Sequence, residues 1–153
     1  MFSALLINDV PIECINQASI AYHIPAHILI SVLKVEGGRV GLAKKNSNGT
    51  YDYGPMQINS IWLPVLSIHG YTKEKLLYDP CANMWVGTWI LSQKMTESTN
   101  LWRGVANYHS HTQEKNAAYQ YKVWNVYQLI NQYLNSENKQ LLMPTDNKSV
   151  KRK

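Results

Sequence analysis

"VLKVEGG", Val32 to Gly38, ends an almost unbroken apolar run on one carboxylate and two glycines. Upstream, Pro25 opens "PAHILISVLK", and proline is at home at a helix start. Leu29, Val32, Leu33 and Glu36 recur at i, i+3, i+4 spacing, which predicts a helix carrying all four on one face. Gly37 and Gly38 predict its end. Glu36 is then expected at the negative end of a helix dipole, on an apolar face. Both conditions favour the protonated acid and raise its pKa. A carboxyl that stays neutral up to about pH 6–7 is a general acid, able to hand a proton to a leaving oxygen. Glycosidic bonds need that proton, because a sugar alkoxide leaves poorly. The ordinary alternative is a glutamate that turns outward into water, so the choice depends on the neighbouring segments.

Working outward, "PIECINQASIAY" (11–22) predicts a first helix with Pro11 at its start. After Gly38 a polar stretch contains Asn48-Gly49, a strong turn pair, beside Thr50, Tyr51 and Tyr53, which suit strands. A turn or short hairpin is expected there. "PMQINSIWLPVLSIHG" (55–70) predicts a third helix, bent or broken at Pro64. Asp79-Pro80 reads as an N-cap followed by proline, opening the helix "CANMWVGTWILSQKM". "LWRGVANYHS" (101–110) reads as a short buried helix. The last long helix, "EKNAAYQYKVWNVYQLINQYL", carries the stripe Val123, Val126, Tyr127, Ile130. The expected domain spans 1–135, with 136–153 a polar, basic, flexible tail.

A chain of 153 residues, 45% hydrophobic and 16% charged, fits one globular domain and excludes a chain that is disordered as a whole. No apolar run reaches the roughly 20 residues of a transmembrane helix. The opening "MFSALLINDVP" lacks the basic and long apolar regions of a signal peptide. The formal net charge of +5 favours anionic polymers, whether nucleic acid, anionic lipid or cell wall. Lys148, Lys151, Arg152 and Lys153 crowd the tail, but no basic helix interleaved with aromatics marks a nucleic-acid interface. Cys14 and Cys81 allow either one disulfide, stabilising by about 4 kcal/mol through loop closure, or two buried thiols. The near-neighbour pairs His109/His111 and His23/His27 lack further ligands at zinc spacings, so no metal and no cofactor is expected.

"GTYDYGPMQINS" (49–60) brings a family into view. It resembles the GSTDYG-x-x-QINS segment of chicken-type lysozymes. It also resembles the DYGLMQIN segment of the lytic transglycosylases that accompany bacterial secretion, conjugation and pilus systems. In both groups a catalytic glutamate ends a helix shortly upstream, as in Glu36-Gly37. "DPCANMWVGTWIL" is similar to the transglycosylase pattern D-P-x-x-N-hydrophobic-x-x-G-x-x-hydrophobic-L, "VANYHS" to A-x-x-Y-[NH]-[AS], and "AAYQYKV" to the closing Y-x-x-x-V. The four ordered motifs span about Cys14 to Tyr127. The resemblance implies an α+β, predominantly helical, lysozyme-like fold with one small β element. It also implies a Cys14–Cys81 disulfide, since these transglycosylases often place one cysteine in the first helix and one in D-P-C.

The resemblance assigns roles by position. Glu36 is the expected acid and base of a transglycosylase, cleaving the β-1,4 bond between N-acetylmuramic acid and N-acetylglucosamine and leaving 1,6-anhydro ends. Asp52 and Tyr108 are expected in support: Asp52 as charge stabiliser or as a turn-capping residue, and Tyr108 as the hydroxyl that orients Glu36. Tyr53, Gly54, Met56, Gln57, Asn59, His109 and Tyr119 are expected to line the substrate groove. Gly54 would let the backbone approach the sugar, and Met56 suits either core or sugar platform. Most aromatics, Trp85, Trp89 and Trp124 among them, are expected in the core.

The implied partner is the peptidoglycan glycan strand, with components of a secretion or conjugation apparatus nearby, and the implied state is a monomer, periplasmic or exported. Three other readings stay open: a muramidase using Glu36 and Asp52 with water, a wall-binding module without turnover, and a DNA-binding role for the tail.

Overall fold

Prolines set where the first two long helices begin. Pro11 and Pro25 occupy N-cap positions with extended ψ values of 138° and 135°. α1 (Ile12–Tyr22) and α2 (Ala26–Glu36) follow immediately. The computed structural model describes residues 5–142. Two short strands, β1 (Leu6–Ile7) and β2 (Val10–Pro11), precede α1 as an antiparallel hairpin. Its two-residue turn, Asn8-Asp9, has φ of 50° and 67°, the left-handed backbone that tight hairpins favour. The apolar segment is too short for its periodicity to have revealed this hairpin.

A second, three-stranded antiparallel sheet runs in the order β3 (Ala43–Lys45), β4 (Tyr51–Tyr53), β5 (Ile58–Asn59). The turn expected at Asn48-Gly49 joins β3 to β4. Asn46 donates its backbone N–H to the Thr50 oxygen at 2.8 Å, and the Asn48 side chain accepts from the Thr50 N–H at 3.0 Å. Register places Lys44, Asp52 and Asn59 in one row across the sheet, so their side chains share a face.

"PMQIN" is not the start of a helix. Gly54 and Gln57 adopt left-handed φ of 69° and 51°, which turns the chain back so that Ile58 and Asn59 pair with β4. A 3-10 turn, Ser60–Trp62, leads into α3 (Leu63–Ile68). Pro64 lies in the first turn of α3, where its missing N–H costs nothing, so it opens that helix rather than breaking it. The short α4 (Lys73–Tyr78) is capped by Thr72, whose hydroxyl accepts from the Lys75 N–H at 3.1 Å. As expected, Asp79 caps α5 (Pro80–Met95), its carboxylate accepting from Ala82 N–H at 3.0 Å. α6 (Leu101–Ala106) follows, then α7 (Gln113–Leu142), which continues past the boundary expected near residue 135. The basic residues 148–153 lie outside the described residues.

α2 is the central helix. Leu29, Val32 and Leu33 are fully buried, as their spacing predicts, and α7 packs against it through Tyr119 and Val123. Val126, Tyr127 and Ile130 of the α7 stripe are half-buried. α1 packs on α5, and the Cys14–Cys81 disulfide ties the two, with Cα atoms 5.4 Å apart. Each fully buried leucine or isoleucine of this core stabilises the fold by about 1.5–3 kcal/mol. Two of the tryptophans expected inside are at the surface: Trp85 is 37% and Trp124 43% exposed. Trp85 nevertheless packs edge-on against Tyr22 of α1, with ring centroids 5.2 Å apart. Among the described residues no helix is long and apolar enough to cross a membrane. The fold is α+β and mainly helical, with the sheet set beside the end of α2 that carries Glu36.

Candidate active site

Glu36 is the last residue of α2, and three features hold the helix end in place. Gly37 caps it in the left-handed conformation, φ 67°, with its N–H on the Leu33 oxygen at 3.0 Å. Asn8, from the β1–β2 turn, donates its side-chain amide to the oxygens of Leu33 (2.9 Å) and Gly38 (3.1 Å), tying the last turn to the chain beyond it. Gly38 lies flat against the loop after β4. A Cβ there would stand 2.0 Å from the Gly54 oxygen and 2.7 Å from that of Pro55. The first glycine ends the helix and the second admits the 54–57 loop, which explains the pair.

That loop is clamped from α5. Asn83, fully buried, accepts from the Met56 N–H at 2.8 Å and donates to the oxygens of Tyr53 (2.9 Å) and Leu76 (2.8 Å). This gives the asparagine of the D-P-x-x-N pattern a physical task. A Cβ on Gly54 would meet the Asn83 amide at 2.3 Å, so packing on α5 by itself requires glycine there. Met56 is fully buried against Gly87 and belongs to the core. Tyr53 is also buried and does not line the cleft. Gln57 does line it, although its side-chain amide donates back to the Gly54 oxygen at 2.9 Å.

Asp52 and Asn59 face the same cleft from β4 and β5. Asn59 donates its amide to Asp52 Oδ1 at 2.9 Å and to Thr50 Oγ1 at 3.0 Å, and accepts from Ile61 N–H at 3.0 Å. The carboxylate is held by a neighbouring side chain; it does not cap its own turn.

The hydroxyl that reaches Glu36 is that of Tyr119, not the Tyr108 hydroxyl expected to orient it. The Tyr108 hydroxyl donates to the Met56 backbone oxygen at 2.7 Å, bracing the loop. The Tyr119 hydroxyl, on α7, donates to Glu36 Oε1 at 2.9 Å. Tyr119 is buried beneath the cleft, and His109 stacks on its ring with centroids 4.7 Å apart. Burial holds both phenols far above their usual pKa, helped by the nearby Glu36, so both remain donors. Burial also lowers the pKa of His109, assisted by Lys122. His111 turns away to Glu97, so the two histidines share no ligand position.

Glu36 is open to the cleft on one side and packed in protein on the others. Its pKa is pushed up to about 7. Burial is the main cause and the Asp52 charge adds to it, while the Tyr119 bond and Lys44 act the other way. A cavity of about 470 Å³ lies on one side, walled by Asp52, Gln57, Asn59, Trp62, Tyr108 and His109 among others. A second, of about 430 Å³, meets it at Glu36 and His109. Together they form a groove with a proton donor at its midpoint.

Sequence reasoning missed Asn8, Trp62, Asn116, Lys44, Lys115 and Lys122. Trp62 lines the cleft and is braced edge-on by Trp89 at 5.7 Å, a flat face of the kind sugars stack on. Asn116, buried on α7, donates to Asn107 Oδ1 (2.9 Å) and the Ser110 oxygen (2.8 Å), fastening the segment that carries Tyr108 and His109. Asn83 was within reach, since it stands in a quoted motif. Asn8 left no local signal, because its partners are 25 and 30 residues away.

The family model of the transglycosylase SLT domain matches residues 13–131. Over 149 residues the chain is 30% identical to the invasion protein IagB of Salmonella typhi, covering 94% of this chain and 93% of that protein. It is 31% identical over 104 residues to protein IpgF of Shigella flexneri, covering 67% and 68%. A peptidoglycan-binding-like protein of Escherichia coli O157:H7 is 30% identical over 131 residues, covering 78% of each chain.

Proposed function

Because the chain belongs to the transglycosylase SLT domain family, we propose that it is a peptidoglycan lytic transglycosylase. It cleaves the β-1,4 bond between N-acetylmuramic acid and N-acetylglucosamine without water. The observation that carries this reading is a buried carboxyl at the midpoint of a sugar-sized groove, with a pKa of about 7. Near neutral pH much of it is protonated, and its proton lies where a leaving oxygen would take it.

In the proposed reaction the C1–O4 bond breaks and the departing N-acetylglucosamine O4 takes the Glu36 proton. The muramoyl C6 oxygen attacks C1, closing the 1,6-anhydro ring. Its proton passes to the Glu36 carboxylate, which restores the acid. The substrate supplies the nucleophile, so one protein carboxyl suffices. Tyr119 orients that carboxyl, Trp62 offers a stacking face, and Asn59, Gln57 and His109 offer bonds to hydroxyl and N-acetyl groups.

Asp52 shares the cavity with Glu36, and this favours a second reading: a muramidase in which Asp52 assists and water completes the reaction. Mass spectrometry of the muropeptides separates the two. Anhydro ends, lighter by one water, support the transglycosylase; reducing ends support the hydrolase. Retention on the wall with no product from either would leave a binding module. The name of one relative, the invasion protein IagB, supports a setting beside a secretion, conjugation or pilus apparatus, in the periplasm or after export.

A further inference from the structure

The two arms of the groove differ in chemistry. Beyond Glu36, one is walled mostly by uncharged groups, Asn46, Asn48, Thr50, Asn59 and Ser110 among them, with Asp52 and Lys115 of opposite sign as its charged members. The other is cationic: Lys44 reaches it from β3, and Lys115 and Lys122 from α7, around the small apolar surfaces of Val35 and Ala118. Lys115 and Lys122 are seven residues apart, two helical turns, and so share one face of α7.

Among the described residues these ammonium groups have no carboxylate within ion-pair distance. Ion pairs among the described residues join Arg39 to Asp9, and Lys94 and His111 to Glu97. Asp52 stands opposite Lys44 in the sheet register, but its hydrogen bond goes to Asn59, and no ion pair links the two. Three like charges around one cavity of about 430 Å³ repel one another. An anionic ligand would relieve that repulsion, and a neutral glycan would not.

We propose that this arm binds the peptide stem of the glycan strand through its carboxylates, and so selects strands that carry stems. The proposal rests on the peptidoglycan reading above. A stem leaves the muramoyl ring as a lactyl ether, continues through alanine, and then presents the free α-carboxylate of a γ-linked glutamate. Val35 and Ala118 match the two methyl groups, and the lysines match the carboxylates beyond them. The mostly uncharged arm is left for the bare sugars on the other side of Glu36.

The test compares soluble glycan strands with stems intact against the same strands after amidase removal of the stems, which takes away the stem carboxylates and leaves one lactyl carboxylate on each muramoyl ring. Binding is measured to Glu36→Gln protein, which does not turn the strands over. Lys44 and Lys122 are both exposed and line only the cationic arm, so Lys44→Gln/Lys122→Gln is the variant to compare. The ratio of affinities, stemmed over bare, is expected to fall about fivefold in that variant, as for the loss of two exposed charge pairs. Lys44→Arg/Lys122→Arg is expected to keep the ratio. An unchanged ratio in the glutamine variant overturns the proposal. If the ratio falls as expected while the unsubstituted protein releases no product, the stem site stands and the transglycosylase reading fails.

Discussion

The Tyr119 hydroxyl donates to Glu36 Oε1 at 2.9 Å across 83 residues of sequence. The bond joins the end of α2 to the face of α7 packed on it. It stabilises the charged carboxylate, so it opposes the burial that raises the acid's pKa.

Tyr119→Phe is expected to raise the pKa of Glu36 further and to loosen its orientation. In the proposed reaction the active form is protonated, so the alkaline limb of the kcat/KM profile should move to higher pH. The maximum rate should fall about tenfold, as poor alignment of a catalytic group costs. A pH–rate profile checks both effects. An unmoved alkaline limb would show that the bond does not tune the acid.

Glu36→Gln should reduce product formation by about 10²–10⁴-fold, the usual contribution of a general acid. It should also change stability in a pH-dependent way. Folding raises the carboxyl's pKa from 4.5 to about 7, so the native state holds the proton more tightly than the unfolded chain. The cost of burying the charge is absent below pH 4.5. It grows as pH rises through the folded pKa, and levels off above it at about 3 kcal/mol. Urea denaturation should therefore find the variant more stable than the parent at pH 8.5 and equal to it at pH 4.

Asp52→Asn removes a negative charge that helps keep Glu36 protonated. The alkaline limb should shift to lower pH, with anhydro ends still formed and the rate at pH 5.5 within about tenfold of the parent. Loss of all turnover, with reducing ends in the parent digest, would instead support the muramidase.

Asn83→Ala strips three hydrogen bonds from a fully buried site, those to the Met56 N–H and to the carbonyls of Tyr53 and Leu76. A stability loss of about 3 kcal/mol is expected, measured by chemical denaturation. The 54–57 loop should become the segment whose amide exchange accelerates most.

How much of this was legible depends on how far apart the partners are. The end of α2, the cap at Asp79 and the turn at Asn48-Gly49 rest on contacts within a few residues, and each is found where its local chemistry put it. "PMQIN" misled because its apolar spacing also suits a helix; left-handed backbone at Gly54 and Gln57, secured by Asn83 from a distant helix, overrode it. Gly54 and Met56 were visible as motif residues, but their work is packing against α5, which no local pattern distinguishes from contact with substrate.

The chain's own order of residues determined that Glu36 ends an apolar helix, because helix periodicity and glycine capping act over a single turn or two. It determined the cysteine positions and the lysine spacing on α7 as well. Only the tertiary structure decided which tyrosine holds the acid and which braces the loop. Both carry the same hydroxyl, and the choice follows from how α7 packs on α2. The same packing brings Lys44 beside Lys115 and Lys122 and buries the carboxyl on most of its sides. Desolvation depends on everything that surrounds a group in space, so the raised pKa on which the chemistry rests is a property of the assembled fold.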